Sequence, residues 1–123
     1  MGKLLGMKVI GITGSQEKVD YVKNELGADD CINYKTTENL RQDLATLCPK
    51  GIDVYFDNVG GDQLDACLAL IRKFGRVVGC GAISGYNSKP TPVSNYGNII
   101  MRSALYQGFI ILDYAKRYPE ALM

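Results

Sequence analysis

The chain has 123 residues, of which 46% are hydrophobic and 22% charged, proportions typical of one globular domain. Fourteen basic and thirteen acidic residues leave a formal charge of +1, and no long basic run occurs, so we predict no nucleic-acid partner. No run of about 18 apolar residues is present, so we expect no membrane-spanning helix and no membrane partner.

Histidine is absent and the four cysteines are far apart in the sequence. A zinc site needs clustered cysteine or histidine ligands, so we predict no metal site. Without histidine, Ser-His and Cys-His catalytic pairs are excluded. Because no signal-peptide pattern is visible, we expect Cys31 and Cys80 to be free, buried thiols in a reducing compartment, the cytoplasm.

The first half of the chain alternates strands with helices. Ser15 is a suitable N-cap for the first complete helix, and either Thr36 or Thr37 for the second. The predicted elements are the end of a helix over 1–6, a strand over 7–13, a helix ending at Leu26, a strand over 31–34 and a helix ending near Cys48.

The stretch Ile52–Gly61 organises the second half. Val54 and Phe56 are typical of a buried strand in a parallel sheet. The strand ends on Asp57 and Asn58, at the edge where open α/β sheets bind ligands. We interpret Asn58 as facing a nucleotide cofactor, and the alternative is an ordinary turn.

The remaining elements continue the same alternation, which predicts an α/β fold with a doubly wound parallel sheet. In chain order they are a helix from Asp62 to near Gly75, a strand over 76–80, a turn over 81–85, an irregular loop over 86–95, a short helix over 98–103, a strand over 104–112 and a helix opening at Tyr118.

The turn Thr13–Lys18 bears on the choice of cofactor. In a dinucleotide-binding fold, an acidic residue after the second strand accepts the ribose hydroxyls of NAD, whereas basic residues suit the 2′-phosphate of NADP. Here the tip has no acid, while Ser15 offers a hydroxyl and Lys18 a positive charge. NADP is favoured over NAD, and the alternative is a capping serine beside a solvated lysine.

Five segments in this order resemble the zinc-independent medium-chain dehydrogenases/reductases, in particular the prostaglandin reductase / leukotriene B4 12-hydroxydehydrogenase group, which includes alkenal and curcumin reductases. The segments are Gly14–Lys18, Asn33–Lys35, Phe56–Gly61, Cys80–Asn87 and Gly108–Ile111. The resemblance implies a Rossmann-like fold, a homodimer, and NADPH-dependent reduction of the carbon–carbon double bond of α,β-unsaturated ketones and aldehydes.

The resemblance also implies roles for single residues. Ser15, Lys18 and Tyr34 match positions at the adenosine 2′-phosphate of NADP(H), and Asn58 matches a contact to its centre. The segment implied to run along the nicotinamide consists of Cys80, Gly81, Ala82, Ile83, Ser84, Gly85 and Tyr86.

Tyr86 is the implied catalytic candidate, because its hydroxyl would lie beside the nicotinamide ribose and the substrate. Phe109, Ile110 and Ile111 would line the nicotinamide and the substrate pocket, and the alternative for them is a core strand. Three other functions stay open: a quinone reductase, a non-catalytic nucleotide-binding or interaction module and, last, an S-adenosylmethionine methyltransferase.

Against the family fold, the first strand, the glycine-rich loop and most of the first helix are expected to be missing. Gly79-x-Gly81 lacks a third glycine, so it is not the pyrophosphate loop. We therefore expect 1–123 to be a Rossmann domain truncated at both ends, without a substrate domain, that binds NADPH weakly and is inactive alone. We also expect strands 7–13 and 52–58 to pair directly with each other or with another copy.

Overall fold

Every pair of strands in the structure is parallel, as the predicted α/β fold requires. The structure is a computed structural model that describes residues 1–122. The chain divides into an N-terminal unit, Met1–Pro49, and a C-terminal unit that begins at Lys50.

The N-terminal unit is a two-stranded parallel sheet with two α-helices. A 3₁₀ turn at Gly2–Leu5 precedes the sheet and ends at Gly6 in the left-handed conformation, as the predicted helix end requires. The elements that follow are β1 (Ile10–Thr13), α1 (Gln16–Asn24), β2 (Asp30–Asn33) and α2 (Leu40–Leu47).

The helix caps in this unit test the sequence patterns. The Ser15 side chain accepts a hydrogen bond from the Lys18 N–H at 3.3 Å, which confirms the predicted N-cap of α1. Helix α2 is capped by Asn39, so the predicted threonine cap is wrong. The N–H groups of Thr36 and Thr37 donate instead to the Asn33 carbonyl, closing a turn before the helix begins.

The C-terminal unit is a three-stranded parallel sheet in the order β3-β4-β5. This order is the one that the doubly wound fold predicts for its second half. Its elements are β3 (Ile52–Asp57), α3 (Gly61–Ala69), β4 (Ile71–Gly79), a 3₁₀ turn (Ile83–Gly85), α4 (Gly97–Met101), β5 (Leu105–Gly108), a 3₁₀ helix (Ile111–Arg117) and α5 (Tyr118–Leu122).

The core of this unit forms where α3 packs against the sheet. Leu64, Leu68, Ile71 and Val77 are its buried members. The predicted helix was too long, because α3 ends at Ala69 and Ile71 already belongs to β4. Its N-cap is also not Asp62, since the helix begins at Gly61.

Strand β3 is less buried than its sequence predicts. Val54 is 47% exposed and Phe56 55% exposed, so the prediction that both are buried is wrong. Alternation along the strand places them on the face opposite Tyr55 and Asp57. Asp57 is fully buried, and Tyr55 is half-buried.

Strands β1 and β3 belong to different sheets, so the prediction that they pair directly with each other is wrong. Each strand pairs within its own βαβ unit: β1 with β2 across α1, and β3 with β4 across α3. Pairing with another copy stays a prediction.

Candidate functional site

The predicted site residues fall in both units, and each unit brings its own members together. In the N-terminal unit the centre is Gly14, at the end of β1. A side-chain Cβ at Gly14 would lie 3.1 Å from Tyr34 Cε1, 3.2 Å from the Tyr34 hydroxyl and 3.3 Å from Lys35 Cε. We refer to Gly14, Ser15, Lys18, Tyr34 and Lys35 as the Gly14 corner.

The Gly14 corner combines hydroxyl groups with positive charge. Lys18 lies in the first turn of α1, where the helix dipole adds positive potential, although Glu17 in the same turn opposes it. Lys18, Tyr34 and Lys35 are all exposed. Ammonium groups, hydroxyls and a helix N-terminus form a donor set that fits a phosphate.

Lys35 is a member of this corner that the sequence interpretation did not assign to the site. The signal was present, because Lys35 follows Tyr34 directly in one of the segments that carry the family resemblance. Its position beside Gly14 depends on the turn after β2, in which the Lys35 N–H donates to Asn33 Oδ1 at 3.1 Å.

In the C-terminal unit, the turns that follow β3 and β4 are joined by hydrogen bonds. We call residues 80–86 the Tyr86 loop. The Ile83 N–H donates to the Asn58 carbonyl at 3.2 Å, and Ser84 donates to the Val59 carbonyl from its N–H at 3.1 Å and from Oγ at 2.6 Å. The predicted residue Asn58 is therefore linked directly to the predicted segment after β4.

Tyr86 folds back over its own loop. Its hydroxyl oxygen accepts a hydrogen bond from the Ala82 N–H at 3.1 Å, so the hydroxyl proton remains available to another acceptor. A Cβ at Gly81 would lie 3.0 Å from the Asn58 carbonyl oxygen and 3.3 Å from the Tyr86 oxygen, which is why glycine suits this position. Tyr86 is 66% exposed.

Cys80 differs from its prediction. The sequence predicts a buried thiol inside a strand, but β4 ends at Gly79 and Cys80 is exposed in the Tyr86 loop. Its N–H donates to the Asp57 carbonyl at 2.8 Å, so its backbone is held while its side chain faces outward. Cys31 is buried as predicted.

The segment Phe109–Ile111 is not a core strand. Strand β5 ends at Gly108, and Ile110 and Ile111 are 62% and 55% exposed. The Phe109 N–H donates to the Gly79 carbonyl at 3.0 Å, which holds this segment against the end of β4. The Phe109 ring meets Phe56 and Tyr114 edge-on, with 6.0 Å between centroids in each pair.

Comparison with known proteins places the chain in a family. A family model described as zinc-binding dehydrogenase matches residues 1–123. The chain belongs to that family. It is 43% identical to the NADP-dependent 2-alkenal reductase of Nicotiana tabacum, over 98% of this chain and 35% of that protein. It is 44% identical to prostaglandin reductase 1 of Sus scrofa, over 90% of this chain and 34% of that protein.

A solved structure agrees with this assignment. CurA from Vibrio vulnificus in complex with NADPH has a TM-score of 0.86 and 40% identity, over 97% of this chain and 37% of that one. The resemblance to prostaglandin and alkenal reductases and the Rossmann-like fold are confirmed. The chain spans 34–35% of the length of the two curated relatives.

The family description mentions zinc, but the residues of this chain do not fit a zinc site. The sequence has no histidine, and residues 1–122 contain no group of three or more Cys, Asp or Glu side chains placed to hold a metal. None of the helices described here is long and apolar enough to span a membrane.

Proposed function

We propose that this chain is part of the NADP(H)-binding domain of an oxidoreductase that reduces the carbon–carbon double bond of α,β-unsaturated ketones and aldehydes. The observation that carries the proposal is the match to the tobacco 2-alkenal reductase, which extends over 98% of the chain. A second relative, prostaglandin reductase 1, supports the same family group.

For the cofactor, the proposal assigns the adenosine 2′-phosphate to the Gly14 corner. Ser15, Lys18 and Tyr34 are the residues that the family resemblance implies, and Lys35 joins them on geometric grounds, since its side chain borders Gly14 together with Tyr34. Two ammonium groups favour a phosphate dianion over a ribose hydroxyl, which supports NADP(H) rather than NAD(H).

For the reaction, the proposal assigns the nicotinamide end to Asn58, the Tyr86 loop and Phe109–Ile111. NADPH, when bound, supplies the hydride. Glycine at 81 lets the Asn58 carbonyl and the Tyr86 hydroxyl pack directly against the backbone of the loop, which keeps the loop compact beside the turn after β3. The Tyr86 hydroxyl accepts from the Ala82 N–H, so its own proton remains available for donation near the site.

The compartment and the assembly belong to the same proposal. A buried thiol at Cys31 supports a reducing compartment, which we take to be the cytoplasm. A homodimer is the assembly that the family resemblance implies. Sedimentation of the natural protein would report its assembly.

The reaction class is tested with the natural protein at its full length. NADPH oxidation is followed by absorbance with a panel of enones, enals and quinones, and the products are identified by mass spectrometry. We expect saturated ketones and aldehydes as products. Reduction of quinones without reduction of enones would favour the quinone reductase instead, and no oxidation with any acceptor would contradict both.

The cofactor assignment is tested by substitutions in the Gly14 corner. Lys18→Ala and Lys35→Ala should each raise the KM for NADPH about tenfold, the loss expected when one charge-assisted hydrogen bond to a phosphate is removed. The KM for NADH should not change. Lys23→Ala is the matched control, because it removes one positive charge from the last turn of the same helix. Equal effects on NADPH and NADH would contradict the assignment.

A further inference from the structure

Asp57, the last residue of β3, is the most buried ionisable side chain of the C-terminal unit, at 0% exposure. Its Oδ1 accepts three hydrogen bonds of 2.9 Å each, from the Tyr55 hydroxyl and from the N–H groups of Val59 and Gly60. Its Oδ2 is buried and has no hydrogen-bond partner among the described residues.

Burying a carboxyl group in this way is costly. A buried polar atom without a partner loses its hydration free energy, and native structures retain few of them. The sheet itself does not require it, since an apolar side chain would fill the same position without this cost. The carboxyl group therefore has a role other than filling the core.

The bonds that Asp57 makes lead to the candidate site. Its side chain fixes the turn through the N–H groups of Val59 and Gly60, and its carbonyl accepts from the N–H groups of Cys80 at 2.8 Å and Gly81 at 3.2 Å. One residue thus holds both turns, one through its side chain and the other through its backbone.

The turn that Asp57 fixes then sets the Tyr86 loop. The carbonyls of Asn58 and Val59 accept from Ile83 and Ser84. If the turn rotated, these two acceptors would move, and the loop that carries Tyr86 would move with them. The route from the carboxyl group to Tyr86 consists of these hydrogen bonds and the backbone between them, all within the C-terminal unit.

The turn also needs this restraint because of its backbone. Gly60 has φ 70° and ψ −154°, a conformation that is open to glycine and to few other residues. A glycine is also the residue with the most freedom to leave such a conformation. The bond from the Gly60 N–H to Asp57 Oδ1 opposes that freedom.

We propose that Asp57 is a positioning residue of the reductase site: its buried carboxyl group holds the turn after β3, and this turn sets the Tyr86 loop. The inference rests on the proposed function, because it concerns the nicotinamide end of the same site. Burial raises the pKa of the Tyr55 phenol far above its ordinary value, so Tyr55 remains a neutral donor to the carboxyl group at all physiological pH values.

The test compares Asp57→Ala with Asp57→Asn in the natural protein at its full length. Loss of the acceptor should lower kcat for enone reduction about 100-fold, as expected for a small misplacement of catalytic groups. The asparagine amide oxygen still accepts from Val59 and Gly60, so Asp57→Asn should recover kcat to within about tenfold of the wild type. The ratio of the KM values for NADPH and NADH should stay unchanged in both variants.

Two further variants separate positioning from a merely structural role. Ser84→Ala removes the Oγ hydrogen bond to the Val59 carbonyl, which is one of the bonds that join the turn to the Tyr86 loop. Because Ser84 is exposed, the variant should fold, and we expect it to lower kcat several-fold. Asp62→Ala is the matched control, because it removes an exposed carboxylate from the first turn of α3. This variant should leave kcat unchanged. All rates are measured well below each variant's melting temperature.

The outcomes are distinguishable. A lowered kcat in folded Asp57→Ala and in Ser84→Ala, with partial recovery in Asp57→Asn, supports the inference. If Asp57→Ala does not fold, Asp57→Asn and Ser84→Ala decide: wild-type kcat in both variants overturns the inference. Full kcat in folded Asp57→Ala overturns the positioning role alone. Absence of enone reduction by the wild type overturns the proposed function and this inference together.

Discussion

The Gly14 corner and the Tyr86 loop are built in different ways. The Gly14 corner presents the exposed side chains of Lys18, Tyr34 and Lys35, of which Tyr34 and Lys35 border Gly14. The Tyr86 loop is held by backbone hydrogen bonds to the turn after β3, and most of its fixed contacts are carbonyl and N–H groups.

This difference predicts opposite sensitivities. Exposed charges act through a field that salt screens, so the Gly14 corner should respond to charge and ionic strength. A backbone network responds to conformation, so the Tyr86 loop should respond to glycine substitutions and to lost anchors. The four predictions below probe this contrast, from the largest expected effect to the smallest.

Gly60→Ala should give the largest effect. The alanine would have to adopt φ 70° and ψ −154°, and its Cβ would lie 3.3 Å from the Cβ of Ala82. We expect a loss of about 3 kcal/mol in the free energy of unfolding, the upper end for such backbone strain, measured by urea denaturation. Gly97→Ala is the control: its Cβ would meet nothing within 4 Å, and it should be neutral or slightly stabilising.

If the unfolding midpoint of Gly60→Ala equals that of the wild type, the turn relaxes without cost. That result would contradict the expectation that the Tyr86 loop and the turn beside it are sensitive to glycine substitutions.

Asp65→Ala should give the second largest effect on stability. Asp65 holds the end of the segment that follows the Tyr86 loop, at Ser94 and Asn95. Its Oδ1 accepts from the N–H groups of Ser94 and Asn95 at 2.7 Å each, and its Oδ2 from Asn95 Nδ2 at 2.9 Å. Loss of these bonds should cost about 2 kcal/mol and make residues 86–93 sensitive to proteolysis. Cleavage rates equal to those of Asp62→Ala would contradict this anchor.

The sequence predicted local features well and boundaries poorly. Ser15 was identified as a cap because capping depends on neighbours three residues away. The end of α3 was missed because Ile71 is apolar at the right helical spacing, yet it pairs with Ile52 in the sheet. Helical spacing alone does not separate a last helical turn from the first residue of a buried strand.

For the site residues, too, the sequence indicates local segments better than it indicates burial. Asn58 and the Tyr86 loop are joined by hydrogen bonds in the C-terminal unit, while their roles at a cofactor stay predictions. The role that we propose for Asp57 is not visible in the sequence, because it depends on burial and on a carboxyl oxygen that has no partner among residues 1–122. Val54 and Phe56 were predicted to be buried because apolar residue type indicates the capacity for burial, whereas exposure depends on what covers each face of the strand.

Ionic strength should distinguish the two regions without any substitution. At about 0.1 M salt the Debye length is about 10 Å, and at about 1 M it is about 3 Å. Raising salt over this range should lower the preference for NADPH over NADH several-fold, since Lys18 and Lys35 are exposed. The effect of Gly60→Ala on unfolding should not depend on salt in this way. A cofactor preference that is constant with salt would contradict the electrostatic account of the Gly14 corner.

The smallest effect should come from the surface electrostatics of the N-terminal unit as pH falls. The hydrogen bond from Lys3 Nζ at 2.8 Å, and then that from the Val9 N–H at 2.7 Å, lower the pKa of Asp29 below its ordinary value. Because the pKa of Asp29 is lower in the folded state, its carboxylate stabilises the fold fully at pH values above the unfolded-state pKa of about 4. This contribution disappears as the pH falls through the folded-state pKa. Asp29→Asn should therefore be less stable than the wild type at neutral pH, and urea denaturation should show the difference vanishing in acid.

Glu38→Gln is the control, because Glu38 is an exposed carboxylate of the same unit. If the wild type stays more stable than Asp29→Asn in acid, Asp29 acts through shape and not through charge.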